Sequence, residues 1–142
     1  MDEGDLALRN HTYALLVELG RPPLAVEVGP TEQVRAGWRR LHEEHALVLD
    51  HDQRELLMAN PFSAVPIPHR VEAGSRSWYA NCAWDAFGIC AALATDGRIE
   101  ASCPDCGDAI GIDVRAACSD DESLLFHCLV PARRWWDDVA YT

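Results

Sequence analysis

The chain has 142 residues, 49% of them hydrophobic and 25% charged, and a formal net charge of -11. That length suits one domain or two small units sharing a core, and a mean hydropathy of -0.13 places it among soluble globular chains. With a pI of about 4.8 it lacks the cationic surface that releases counterions from phosphate backbones, which argues against nucleic-acid binding and against docking on anionic membranes.

No run reaches the roughly 18 apolar residues of a membrane span. The first residues, "MDEGDLALRN", open with acids where a secretory signal has a basic and then an apolar region, so a cytoplasmic location is expected. Six cysteines in such a compartment read as metal ligands, reactive thiols or buried small residues, not as a disulfide framework.

In chain order, "DLALRNHTYALLVEL" (5–19) spaces Leu8, Leu15, Leu16 and Leu19 as one helix, and "GRPP" stops it. "PTEQVRAGWRRLHEEHAL" predicts a second helix, with Thr31 as a capping residue and Val34, Trp38 and Leu41 on one face. "ALVLDHDQRELLMAN" reads as two short strands joined by a polar turn at Asp50–Gln53. Helix, helix, hairpin is the order of a small winged-helix unit. Arg35, Arg39 and Arg40 on the second helix are offset by Glu32, Glu43 and Glu44, which makes DNA reading a poor expectation.

Residues 60–77, "NPFSAVPIPHRVEAGSRS", read as a connector with extended segments. Beyond it, Asn81 is placed to cap a helix over "CAWDAFGICAALA", and "RIEAS" and "AIGIDV" form hairpin arms around "CPDCG". "SLLFHCLVP" reads as a last strand, and "ARRWWDDVAYT" as a tail packed on the core through Trp135 and Trp136. The expected architecture is α+β: a winged-helix-like unit with its connector (1–72) packed on a small mixed core with an antiparallel sheet (73–142).

Two constellations carry chemistry. With Asn81 as the cap, Cys82 takes the first helical position, where unpaired N–H groups and the helix dipole favour a thiolate. Asp85 stands one turn on, so a thiolate and a proton-carrying carboxylate share a face. The alternative is a small buried thiol beside an acid that solvates the helix start. In "CPDCG", Cys103 and Cys106 flank a Pro-containing turn closed by Gly107, which suits half of a tetrahedral zinc site or a metal-free thiol pair. Cys118, His127 and Cys128 are the further zinc candidates. Cys90, among apolar residues, reads as core, and Cys118 as a loop thiol. Strand alternation would put Leu124, Phe126 and Cys128 on one face.

"WYANCAWDAFGICAAL", the hairpin around Cys103 and "FHCLVPARRWWDDV" together resemble the alkylmercury (organomercurial) lyase family, with Trp78, Cys82, Ala83 and Asp85 in its pattern of aromatic, then Cys-Ala-x-Asp. The resemblance implies protonolytic cleavage of a carbon–mercury bond, yielding a hydrocarbon and Hg(II), with no added cofactor. Cys82 would be the thiolate that binds substrate mercury and Asp85 the proton carrier. The second mercury thiol is Cys128 in one register of the late strand. In the other register Leu124 takes its place and no second thiol results. The alternatives are a lyase acting on another carbon–heteroatom bond in a biosynthetic pathway, or a non-catalytic thiol protein that binds or delivers metal. The expected partner is a small molecule, an organomercurial or another soft-metal or heteroatom compound, and the sequence carries no sign of the oligomeric state.

Overall fold

The computed structural model describes residues 1–116, 118, 119, 121, 123–126, 128 and 130–137. Helix α1 spans Glu3–Leu19. Asp2 caps it by accepting from the Asp5 N–H at 2.7 Å, and Gly20 ends it at φ 70°, a left-handed conformation that glycine adopts without a Cβ penalty. A short helix, α2 (Ala25–Val28), leads to α3 (Thr31–Glu43). Thr31 lies inside α3 and not at its cap; Pro30 holds the capping position, where its missing N–H costs nothing. The α3 stripe of Val34, Trp38 and Leu41 is buried, and the Trp38 indole N–H donates to the Thr12 hydroxyl of α1 at 3.0 Å, tying the two helices at a dry contact.

The strands β1 (Val48–Leu49), β2 (Leu56–Ala59), β3 (Phe62–Ser63), β4 (Arg70–Ala73), β5 (Arg76–Ala80), β6 (Gly97–Ser102), β7 (Ala109–Arg115) and β8 (Cys118–Ser119) form one antiparallel sheet, ordered β1-β2-β3-β5-β4-β6-β7-β8. Helix α4 (Ala83–Ala92) follows β5 directly and packs on the sheet. Ala86, Ile89 and Cys90 of α4 are buried with Val71, Trp78, Ile99 and Val114. A second apolar cluster joins Val34, Trp38 and Leu41 to Leu47, Leu49 and Leu56. This is the expected α+β architecture with an antiparallel sheet.

Three local expectations are corrected. The segment taken as a connector, 60–77, supplies β3, β4 and the start of β5, which run through the middle of the sheet. Its prolines and glycine masked this, because each strand is short and Val71 is the sole large apolar residue of β4; Gly74, at φ 60°, makes the turn between β4 and β5. The strand expected over 123–131 is not formed by the described residues there, so the shared face of Leu124, Phe126 and Cys128 does not arise. An apolar run becomes a strand only beside a pairing partner, and β8, a two-residue strand at Cys118, a site read as loop, is the last in the sheet. Asp121 then accepts from the Ser123 N–H and hydroxyl, bending the chain, and Leu125 is 94% exposed. Third, the described part of the tail meets the body at its surface and not within the core: Ala132–Asp137 form a 3-10 turn with no buried residue, in which the Trp136 ring stacks on His45 at 4.2 Å.

Ile99 is fully buried beneath α4 at the centre of the sheet. Ile99→Ala should lower unfolding stability by about 2–5 kcal/mol, read as a reduced urea midpoint at unchanged slope, since the cavity closes only in part.

Candidate active site

Strand β5 is paired on both edges, through Phe62–Ser63 of β3 and Arg70–Ala73 of β4, so its C-terminal end is held in place. The chain leaves it through Asn81 and enters α4 at once. Cys82, not Asn81, is the N-cap of that helix: its backbone is extended (φ -155°, ψ 179°) and its carbonyl accepts the first helical bond, from the Ala86 N–H at 3.0 Å. The Asn81 amide is used elsewhere. It donates to the Asn60 side-chain oxygen at 2.8 Å and to the Asp85 carboxylate at 3.2 Å.

Cys82 and Asp85 are brought together. The Cys82 thiol and the Asp85 carboxyl lie close enough to act on each other's ionisation, and both groups are half-buried. Burial pushes the Cys82 thiol above its ordinary pKa, outweighing the Asp85 and Trp84 backbone N–H groups that draw it down. The expected low-pKa thiolate is therefore corrected: the helix start does favour the anion, but desolvation wins. Burial likewise raises Asp85, against the pull of the Asn81 and Cys82 side chains. Burial thus disfavours the charged form of both groups.

Two residues at this site escaped the sequence reading. Asn60, in the β2–β3 turn before Pro61, receives the Asn81 amide, and its own carbonyl accepts from the Tyr13 hydroxyl of α1 at 3.0 Å. The Asn-Pro dipeptide signals a turn, but nothing local says which side chain the turn will meet. The Asn81 Oδ1 is buried and has no hydrogen-bond partner among the described residues. Trp78, part of the family pattern, is a core residue packed edge-on against Phe62 with ring centroids 6.2 Å apart.

Cys128 is exposed, with its sulfur 3.0 Å from the Val130 carbonyl. Its segment does reach α4: the Phe126 ring lies 6.1 Å from that of Trp84, two residues after Cys82. Cys103 and Cys106 sit at the tip of the β6–β7 hairpin, close enough to act on each other's ionisation. The Cys106 and Asp105 N–H groups, with the Cys106 side chain, lower the Cys103 thiol. Among the described residues no group of three or more His, Cys, Asp or Glu side chains is arranged to hold a metal ion, and His127 lies outside the described residues. Cys90 is buried in the core, as its apolar neighbours imply.

A family model described as MerB, alkylmercury lyase, matches residues 62–142, more than half of the chain. The chain belongs to the alkylmercury lyase family. The match takes in β3, β5, the Cys82–Asp85 pair, the Cys103 hairpin and the tail. A solved structure, the mercury-bound form of MerB2, aligns with a TM-score of 0.52 at 21% identity, covering 82% of this chain and 54% of that one, which supports the shared fold. The chain thus spans about half the length of that alkylmercury lyase relative. No curated protein sequence matches it.

Alkylation against pH should separate the thiols: Cys103 reacts at the lowest pH, and Cys82 reaches half-maximal rate above an ordinary thiol's pKa. Peptide-resolved iodoacetamide kinetics check this. Asn81→Ala removes the hydrogen bond that favours ionised Asp85, so the Asp85 carboxyl should titrate at higher pH than in the unaltered chain, read by carbon-detected NMR.

Proposed function

We propose that the chain cleaves the carbon–mercury bond of organomercurials by protonolysis, with Cys82 as the mercury-binding thiol and Asp85 as the proton carrier. The observation that carries this reading is the placement of Cys82 at the N-cap of α4 with Asp85 in its first turn, the Asp85 carboxylate tethered by Asn81, in a chain of the alkylmercury lyase family.

The Cys82 sulfur binds the mercury of R–Hg(II) and its proton passes to the carboxylate of Asp85, in the same first turn of α4. Soft thiolate sulfur suits soft mercury, which displaces the proton despite the raised thiol pKa. As the carbon–mercury bond breaks, its electron pair stays on carbon and takes the proton from Asp85. The raised pKa of Asp85 suits this, because a more basic carboxylate takes up the thiol proton more readily and can then pass it to the developing carbanion. The net change is R–Hg(II) plus one proton giving R–H and Hg(II), with no oxidation or reduction. Asn81 and Asn60 keep the carboxylate aimed at Cys82.

Cys128 is the second thiol in this proposal. The Phe126–Trp84 contact supports it by bringing the segment over the first turn of α4. Its exposed position also suits a thiol that joins only once mercury is bound.

With phenylmercury and excess monothiol, benzene release should be lost in Cys82→Ser and fall by about 10²–10⁴ in Asp85→Asn, the range that general acid catalysis contributes. Benzene formed in D2O should carry one deuterium. Cys128→Ala should slow release at low external thiol and recover at high thiol. Benzene release from Cys82→Ser at the unaltered rate would overturn the reading.

A further inference from the structure

The β6–β7 hairpin tip takes no part in the reaction above, yet the sheet register places it beside the Cys82 site. Arg70 of β4 lies opposite Tyr79 of β5 on one side and opposite Glu100 of β6 on the other. Cys82 follows Tyr79 by three residues, and Cys103 follows Glu100 by three. β5 and β6 therefore run in the same direction, and Cys82 and Cys103 both lie just past the same end of the sheet. β4 alone separates their strands, so the lateral offset is two strand spacings, roughly 10 Å.

At that tip the turn is tightly closed. The Cys103 N–H donates to the Asp108 carbonyl at 2.8 Å, the Gly107 N–H donates to the Cys103 carbonyl at 2.9 Å, and Gly107 sits at φ 78°. That turn holds the two cysteines three residues apart across one closed loop, Cys103 half-buried and Cys106 exposed, so both thiols are reachable. A closed zinc site needs four ligands, and no third one accompanies this pair among the described residues. A soft ion content with two thiolates needs no more than the hairpin offers.

We propose that Cys103 and Cys106 form a second, two-thiolate binding site for a soft divalent cation, which captures the Hg(II) released at the Cys82 end of the sheet. The identity of the incoming ion rests on the function proposed above, whereas the site rests on the hairpin and the register. An offset of roughly 10 Å exceeds what one ion bonded to sulfur at both ends can bridge. A small monothiol therefore carries the ion: Hg(SR)2 plus the Cys103 and Cys106 thiols gives the hairpin bis-thiolate and two RSH. Two sulfur–mercury bonds form and two break, each hairpin proton passes to a departing thiolate, and no electrons are exchanged. The pair competes with free monothiol because its second sulfur is already in place once the first has bound.

The test uses the full chain and its Cys82→Ser variant, each given one equivalent of HgCl2 in a large excess of glutathione and then alkylated and mapped by mass spectrometry. Cys103 and Cys106 should be protected in both, with one Hg(II) retained per chain, and Cys103→Ser/Cys106→Ser should lose that ion while still releasing benzene from phenylmercury. Alkylation of the pair at its unloaded rate in both proteins overturns the site, as does a tightly held stoichiometric zinc that blocks mercury uptake. Protection in Cys82→Ser alongside no phenylmercury cleavage by the unaltered chain would sustain the hairpin site and sink the lyase reading.

Discussion

The hydrogen-bonded pinning of β5 on both edges is the constraint on which the site depends. Phe62 and Ser63 pair with one edge and Arg70–Ala73 with the other, so the strand cannot slide without breaking two ladders. Cys82 begins α4 two residues after this strand, and the buried contacts of Ala86 and Ile89 hold the helix on the same sheet. A side chain at such a junction inherits the rigidity of both elements. The thiol and the carboxylate one turn on are thereby held in mutual reach without a long loop.

Within that frame, desolvation sets the chemistry of the pair. A helix start draws a thiol toward ionisation, but the half-buried surroundings of Cys82 push the other way and prevail, and Asp85 is raised for the same reason. An ionised thiol and an ionised carboxylate side by side are both disfavoured in such half-buried surroundings. Asn81 and Asn60 then determine where the carboxylate points. The hairpin cysteines stand in the opposite regime: at an open tip, N–H groups of the turn act on Cys103 with little burial to oppose them, and its thiol is lowered. One sheet end thus carries two thiol environments of contrasting character, one that retains a proton and one that gives it up.

Much of this was readable locally. The α1 and α3 helices follow from the spacing of their leucines and of Val34, Trp38 and Leu41, and Gly20 stops α1 as its position suggests. The two hairpins at 48–59 and 97–115 follow from apolar runs around polar or glycine-closed turns. What failed shares one cause: strands are stabilised by partners distant in sequence. β4, with one large apolar residue among Arg70, Glu72 and Ala73, looks like connector until β5 and β6 flank it. "SLLFHCLVP" has the pattern of a strand, but its described residues have no free edge to join.

For the site, the sequence by itself determined the residue types and their spacing: a cysteine and an aspartate one helical turn apart, and a Cys-x-x-Cys turn between two arms. Those are short-range facts, legible because helix and turn geometry repeat over three or four residues. Tertiary structure alone decided that Asn81 is a tether and not a cap, that burial overrides the helix start at Cys82, and that Asn60, 21 residues upstream, completes the support of Asp85. It also decided that the hairpin tip and Cys82 leave the same end of the sheet. Desolvation and cross-strand register are sums over the whole packed chain, and no local stretch contains them.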